Sequence, residues 1–295
     1  MPQWRQDQQS QATHQPIPEP VMPLSPQLVT FRSANGVPIG CYRSGAGPAL
    51  VVVHGTGADH TAWDLVAPKL ARHFTVYTMD RRGRGSSGDT PEYSLEREYD
   101  DVIAVVNGIE APVHLYGHSF GGACAIEAAM RTPRLSSLIL YEGGPKPLGL
   151  RFFPDEFIAQ LETLIAQGQR EEAMRLFVLR GAGLSSQDLH ILERSPAWAN
   201  RMAAAHTIPR ELRAFNEYGG TNLDRFRTLS IPTLLLVGGQ TEGRRREMFL
   251  ALDAVLPRSQ VVDLPGQGHA AHQTAPELLA DSLTTFLLAV DGAPK

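Results

Sequence analysis

Ser119 and His269 are the two residues whose types and settings point most directly to chemistry. Ser119 sits in Tyr116-Gly117-His118-Ser119-Phe120-Gly121-Gly122, between a short strand-like run, 113–116, and a segment rich in Ala, Ile and Met, 123–131, that favours helix. A serine at a sharp strand-to-helix turn projects its hydroxyl above a sheet, and the N–H groups just after it can stabilise an anion. Gly117 and Gly121 supply the small residues that such a close strand-helix approach demands. A serine hydroxyl also needs a base, and imidazole is the side chain with a suitable pKa. His269, in Gln267-Gly268-His269 just after the strand-like run 260–264, falls at the same sheet edge and is expected to be that base.

The rest of the chain must hold these two residues together. Runs 28–32 and 39–43 flank Asn35-Gly36, a hairpin signal. Residues 49–53 are continuously apolar, the pattern of a strand covered on both faces. That run ends in His54-Gly55-Thr56-Gly57, where an α/β sheet presents backbone to ligands. Next come helix over 62–73, strand over 74–80, helix over 95–109 and strand over 135–141, the last ending at Glu142. This alternation predicts a mostly parallel sheet with helices on both faces. From 146 to 228 the strand pattern gives way to helices at 155–167, 170–180, 187–194, 197–206 and 210–218. Alternation then resumes with strands at 233–237 and 260–264 and helices at 244–256 and 276–290. The expected organisation is a disordered Gln- and Pro-rich tail, 1–25, an α/β core, 26–145 and 229–295, and an all-helical cap, 146–228.

Composition bounds the partners. The 295 residues are 42% hydrophobic, enough for a large core, and the net charge of -4 gives no reason to expect nucleic acid or an anionic membrane. No run approaches the about 18 apolar residues of a membrane span, and no secretory signal is apparent, so a cytoplasmic location is expected. The sequence admits a homo-oligomer. Two cysteines, Cys41 and Cys124, read as reduced, packed residues. Arg81, Arg82 and Arg84 lack P-loop spacing and read as a structural turn, solvated or paired to carboxylates. His272 lies one helical turn beyond His269, but no third ligand accompanies it, and no dinucleotide fingerprint is present. Neither metal nor cofactor is expected.

The HGTG loop, the GHSFGG turn and the GQGH loop, in this order, resemble the α/β-hydrolase superfamily over roughly residues 27 to 290. The resemblance implies an eight-stranded sheet, Ser119 as nucleophile, His269 as general base, and the N–H groups of Thr56 and Phe120 as an oxyanion hole. It also implies an acid in a GxxD arrangement, where this chain has Gly238-Gly239-Gln240-Thr241. Glu142, at a strand end that some capped relatives use, is preferred for its rigidity, with Glu242 the alternative. His54 and His118 are expected to orient loops or line the pocket together with Gly55. Phe157 and Trp198 stand for the large apolar groups of the cap that would contact a small, largely apolar substrate.

The expected activity is hydrolysis of an ester, lactone or thioester through an acyl-enzyme. C–C bond hydrolysis and cofactor-free peroxidase-type chemistry use related sites, and a ligand-binding receptor is the rival from another class. Ser119 at the turn argues against an Asp-nucleophile dehalogenase or epoxide hydrolase.

Overall fold

Alternating apolar runs build the frame that carries the site. A computed structural model describes residues 25–292. The expected tail, 1–25, falls almost wholly outside the described residues. In chain order the elements begin β1 (Gln27–Arg32), β2 (Pro38–Ser44), β3 (Ala49–Val53), α1 (Ala67–Leu70), β4 (Thr75–Met79), α2 (Leu95–Gly108), β5 (Val113–His118), α3 (Phe120–Ala129) and β6 (Leu135–Tyr141). Five helices come next, α4 (Asp155–Ala166), α5 (Arg170–Leu176), α6 (Ser186–Glu193), α7 (Trp198–Ala204) and α8 (Ile208–Glu217). The chain then returns through β7 (Thr233–Gly238), α9 (Arg244–Asp253), β8 (Ser259–Leu264), α10 (Ala271–Thr274) and α11 (Pro276–Asp291).

The strands form one eight-stranded sheet in the order β1-β2-β4-β3-β5-β6-β7-β8. β2 pairs antiparallel with β1 and β4, and the other neighbours run parallel. Residues of β3 alternate between the two faces: Val51 and Val53 pack with Val102, Val105 and Ile126, whereas Leu50 and Val52 pack with Trp63, Leu70 and Leu283. Burial on both faces is what a continuous apolar run in a parallel strand requires. Cys41 and Cys124 are free and buried. Of the described residues, no helix is long and apolar enough to cross a membrane.

Two local expectations change. The single helix expected over 62–73 is instead a 3₁₀ turn, His60–Trp63, capped by Asp59, followed by the one-turn α1. Pro68 lies in the first turn of α1 and removes a backbone donor from the middle of the expected span, so one continuous helix is broken there. The helix expected over 170–180 stops at Leu176 and continues as a π-helical turn, Phe177–Gly181, in which Ala182 N–H reaches the Phe177 carbonyl at 2.8 Å.

Helices α4 to α8, between β6 and β7, have their own core of Phe157, Leu161, Met174, Leu192, Trp198 and Ile208. At the base of this insert Lys146 Nζ donates to the carbonyls of Phe215 and Asn216, each at 2.8 Å, where α8 runs out of internal partners. Deeper in, the arginine turn fastens insert to sheet. Arg81 donates to Glu98 (2.7 Å) and to Glu211 of α8 (3.1 Å), Arg84 donates to Glu211, and Arg82 pairs with Asp101 at 2.7 Å. These arginines are buried, so the paired reading of the turn holds and the solvated one does not. Burial alone would raise the Glu211 pKa, but Arg81 and Arg84 hold it below the usual carboxylate range.

Removing one member of a buried ion network strands the others without water or a counter-charge. Glu211→Ala is therefore expected to destabilise the fold by about 3 to 5 kcal/mol. The check is the midpoint of denaturant unfolding at constant slope. A loss under about 1 kcal/mol would mean that water enters the network and the arginines are not stranded.

Candidate active site

The carboxyl ends of β3, β5, β6, β7 and β8 lie at one edge of the sheet, where loops bring Thr56, Ser119, Glu142 and His269 together. Ser119, between β5 and α3, has φ 54° and ψ -123°, a left-handed conformation strained for a residue with a side chain. Close packing enforces it. A Cβ on Gly117 would lie 2.4 Å from the Gly121 carbonyl oxygen, and one on Gly143 would lie 1.7 Å from that of Ser119. Ser119 N–H donates to the Tyr141 carbonyl at 2.9 Å, tying the turn to β6.

His269 stands across from it, with Nε2 3.0 Å from Ser119 Oγ and Nδ1 2.8 Å from Glu142 Oε2. An Nδ1–H donated to the carboxylate leaves Nε2 free to accept the serine proton. The histidine loop is pinned from below. His118 Nε2–H donates to the His269 carbonyl at 2.9 Å, and Tyr141 donates to the Gly268 carbonyl while accepting from Ala271 N–H at 3.1 Å.

Glu142 completes the chain of hydrogen bonds. It also has positive φ, 46°, directly after β6. Oε1 accepts from Gly238 N–H at 2.8 Å and from the Thr241 hydroxyl, and Oε2 accepts from Arg245 Nη1 at 3.1 Å as well as from His269. Burial would raise its pKa, but the His269 contact, Arg245 and Thr241 prevail and lower it to about 2. Burial, followed by the charge of Arg245, lowers the His269 pKa to about 4 against the pull of Glu142. His269 is thus unprotonated at neutral pH. Glu242, the alternative acid, is exposed and takes no part in this chain of contacts.

Thr56 and Phe120 flank the serine. None of the turn and loop hydrogen bonds among the described residues uses the backbone N–H of either, which leaves both donors available to an incoming oxygen. The Thr56 hydroxyl donates to Glu211 at 2.8 Å, so the buried arginine network also positions this loop. Phe120 begins α3, and Arg81 stacks 4.3 Å above its ring.

Two clefts open from Ser119. The smaller, with about 470 Å³ of empty space, is lined by Gly55, His118, His272, Leu192, Val178 and Arg201. The larger, about 650 Å³, is lined by Phe152, Phe153, Phe215, Met248, Glu142 and Arg245. Thr56, Ser119, His269, Phe177 and Ala182 border both, so the π turn forms the partition. Burial, with the neighbouring imidazoles second for His118 and Arg201 second for His272, holds both histidines neutral.

His54, Phe157 and Trp198 line neither cleft, so the substrate contact expected of Phe157 and Trp198 needs correction and His54 takes only the loop-orienting one of the two roles expected for it. His54 is fully buried beneath the loop. Its Nδ1–H donates to the Gly55 carbonyl at 2.8 Å and its Nε2 accepts from Arg81 N–H at 3.2 Å, so it shapes the loop from inside. Phe157 and Trp198 are spent on the core of the insert, where helical periodicity directs apolar side chains as readily as into a pocket.

Other cleft residues escaped sequence reasoning. Arg245 bridges Glu142 to the Ala182 carbonyl (3.2 Å), and Arg201 borders the smaller cleft; neither the run Arg244-Arg245-Arg246 nor the single Arg201 on α7 signals such a role, since helical arginines are usually solvated. Thr241 was the one legible clue, since a hydroxyl at the customary acid position suits a donor to a carboxylate arriving from elsewhere.

Comparison with known proteins agrees with this geometry. The model of a family described as "Alpha/beta hydrolase family" matches residues 50–282. A crystal structure of an alpha/beta hydrolase from Sphaerobacter thermophilus superposes with a TM-score of 0.75 at 32% identity, over 88% of this chain and 100% of that one. N-formylmaleamate deformylase of Pseudomonas putida is 29% identical over 80% of this chain and 88% of its own. Pimeloyl-[acyl-carrier protein] methyl ester esterase of Edwardsiella ictaluri is 28% identical over 80% and 92% respectively.

Proposed function

Because this chain belongs to the alpha/beta hydrolase family and is a hydrolase, we propose that it cleaves a small ester, lactone or thioester through an acyl-enzyme on Ser119. The observation that carries this reading is the unbroken line from Ser119 Oγ through both nitrogens of His269 to Glu142, at 3.0 and 2.8 Å. The names of two relatives, a deformylase and a methyl ester esterase, support hydrolysis as the reaction class.

In this mechanism His269 takes the serine proton as Ser119 Oγ attacks the carbonyl. The N–H groups of Thr56 and Phe120 receive the negative charge that develops on oxygen, each such donor being worth about 3 to 4 kcal/mol of barrier. His269 then returns the proton to the leaving group, and activates water to release the acyl group. Glu142 keeps the imidazole in the required tautomer and stabilises its charged form. Helices α4 to α8 act as a cap over this chemistry, and the aromatic wall of the larger cleft takes the apolar part of the substrate. Thr241 at the usual acid position would favour the receptor reading, and the Glu142 carboxylate 2.8 Å from His269 Nδ1 supports the hydrolase reading instead.

Intact-protein mass after incubation with a fluorophosphonate tests the proposal. One adduct is expected, absent in Ser119→Ala. Since only unprotonated His269 can activate the serine, and its pKa is lowered, the labelling rate should hold from neutral pH downward and fall as pH drops through about 4. No adduct at any pH would rule out an activated serine. A midpoint near 6.5, the ordinary histidine value, would place His269 in a more solvated setting than this.

A further inference from the structure

The smaller cleft holds a buried positive charge that the acyl-transfer mechanism does not use. Arg201, on α7, is 8% exposed and borders the cleft together with Ser119 and His269. Its Nη1 donates to the Gly57 carbonyl at 3.3 Å, and its Nε has no acceptor among the described residues. No carboxylate of the described residues forms an ion pair with it, in contrast to Arg81, Arg82 and Arg84. Asp59, the acidic group whose field reaches it, turns one oxygen to the N–H and hydroxyl of Thr61. Nearby, His272 Nδ1 is also buried without a partner. Burying an unpaired guanidinium is costly, and proteins keep one where a ligand supplies the counter-charge.

Resting on the hydrolase reading above, we infer that Arg201 binds a carboxylate on the substrate, so that this enzyme hydrolyses acyl compounds whose second arm ends in a carboxylic acid. The guanidinium edge at Nε matches a planar carboxylate with two parallel hydrogen bonds. One cation balances one negative charge. The other groups bordering the cleft add none, because His118 and His272 are neutral and Arg245, in the larger cleft, is paired with Glu142. A phosphate dianion would therefore be left half neutralised. Burial lowers the Arg201 pKa only to about 10, so the charge persists at neutral pH. The substrate is then two-armed, with a carboxylate in the smaller cleft, an apolar arm in the larger, and the scissile carbonyl at Ser119 between them.

The test is a ratio of kcat/KM values: p-nitrophenyl hemiesters of succinate, glutarate and adipate against p-nitrophenyl hexanoate, each pair measured on one sample. A ratio is independent of how much of a variant has folded. At least one hemiester should be preferred by wild type by about ten- to a hundredfold, the range of a hydrogen-bonded charge pair. Arg201→Met should abolish that preference and Arg201→Lys should keep part of it. A merely structural arginine would lower all esters alike and leave the ratio unmoved. Calorimetric titration of glutarate into Ser119→Ala, with and without Arg201→Met, reads the same subsite without turnover and should show at least tenfold weaker binding in the double variant. Loss by either readout supports the assignment; an unmoved ratio together with equal glutarate binding overturns it. If wild type takes neither fluorophosphonate nor any ester, the hydrolase reading fails on its own, and calorimetry alone judges Arg201.

Discussion

His269→Ala is expected to lower kcat on the best ester substrate by about four to six orders of magnitude with a small change in KM. A serine hydroxyl is almost wholly protonated at neutral pH, and His269 Nε2 is the base placed 3.0 Å from it. No neighbour can take over. His118 has its Nε2–H committed to the His269 carbonyl, and the Glu142 oxygens are engaged by Gly238, Thr241 and Arg245. What survives should be the contribution of the Thr56 and Phe120 N–H groups and of binding, typically about 10³ to 10⁴ over water. Ser119→Ala should fall to a similar floor. Adding it to His269→Ala should cost little more, because groups that act as a unit are not additive. Single-turnover kinetics with a chromogenic ester, alongside thermal denaturation to confirm folding, give the measurement. A loss below about a hundredfold would mean another base serves Ser119.

Much of this site could be read in the sequence, and the boundary of what could not has a physical origin. Local signals worked where the cause is local. The apolar run Ala49–Val53 became a central strand, and Gly117 and Gly121 marked the tight turn at Ser119. His269 fell into place because a strand end fixes where the next few residues lie. Side-chain direction is less accessible. Phe157, Trp198 and Phe177 are all large apolar residues of the insert and all join its core, yet only Phe177 also borders the clefts. The π turn that opens at Phe177 and closes at Gly181 adds a residue to this turn and carries Ala182 to the cleft border, and propensities do not encode it. Pairings across long separations were equally hidden. Thr56 meets Glu211 155 residues away, so the loop that carries the proposed Thr56 N–H donor depends on a helix of the insert that no local pattern connects to it. Arg201 could not be told from a solvated helical arginine until its burial was known.

Glu142→Gln should lower kcat by about 10³ to 10⁴, whereas Glu242→Gln should leave it within about twofold. The first substitution keeps size and shape but removes the negative charge, and an amide can offer its N–H₂ to Nδ1. His269 would then bind through the wrong tautomer, with its proton on Nε2 facing Ser119, and could no longer accept from the hydroxyl. The amide would also face Arg245, whose guanidinium, 3.1 Å from Oε2, would lose its counter-charge. The sheet explains why position 142 can supply the acid. β6 lies between β5, which carries Ser119, and β7, which carries the customary acid position, so the end of β6 opens onto the same space as both. Positive φ at Glu142 turns its side chain toward His269. Gly238 N–H and the Thr241 hydroxyl, both at the end of β7, then hold one oxygen while the other meets the imidazole. Thr241 thus donates to the proposed acid from the position where the family customarily carries one. If Glu242→Gln were the damaging change and Glu142→Gln mild, the loop after β7 would have to rearrange in solution to bring an exposed carboxylate to His269, and the rigid line of groups from β5 through β6 would not be the working one.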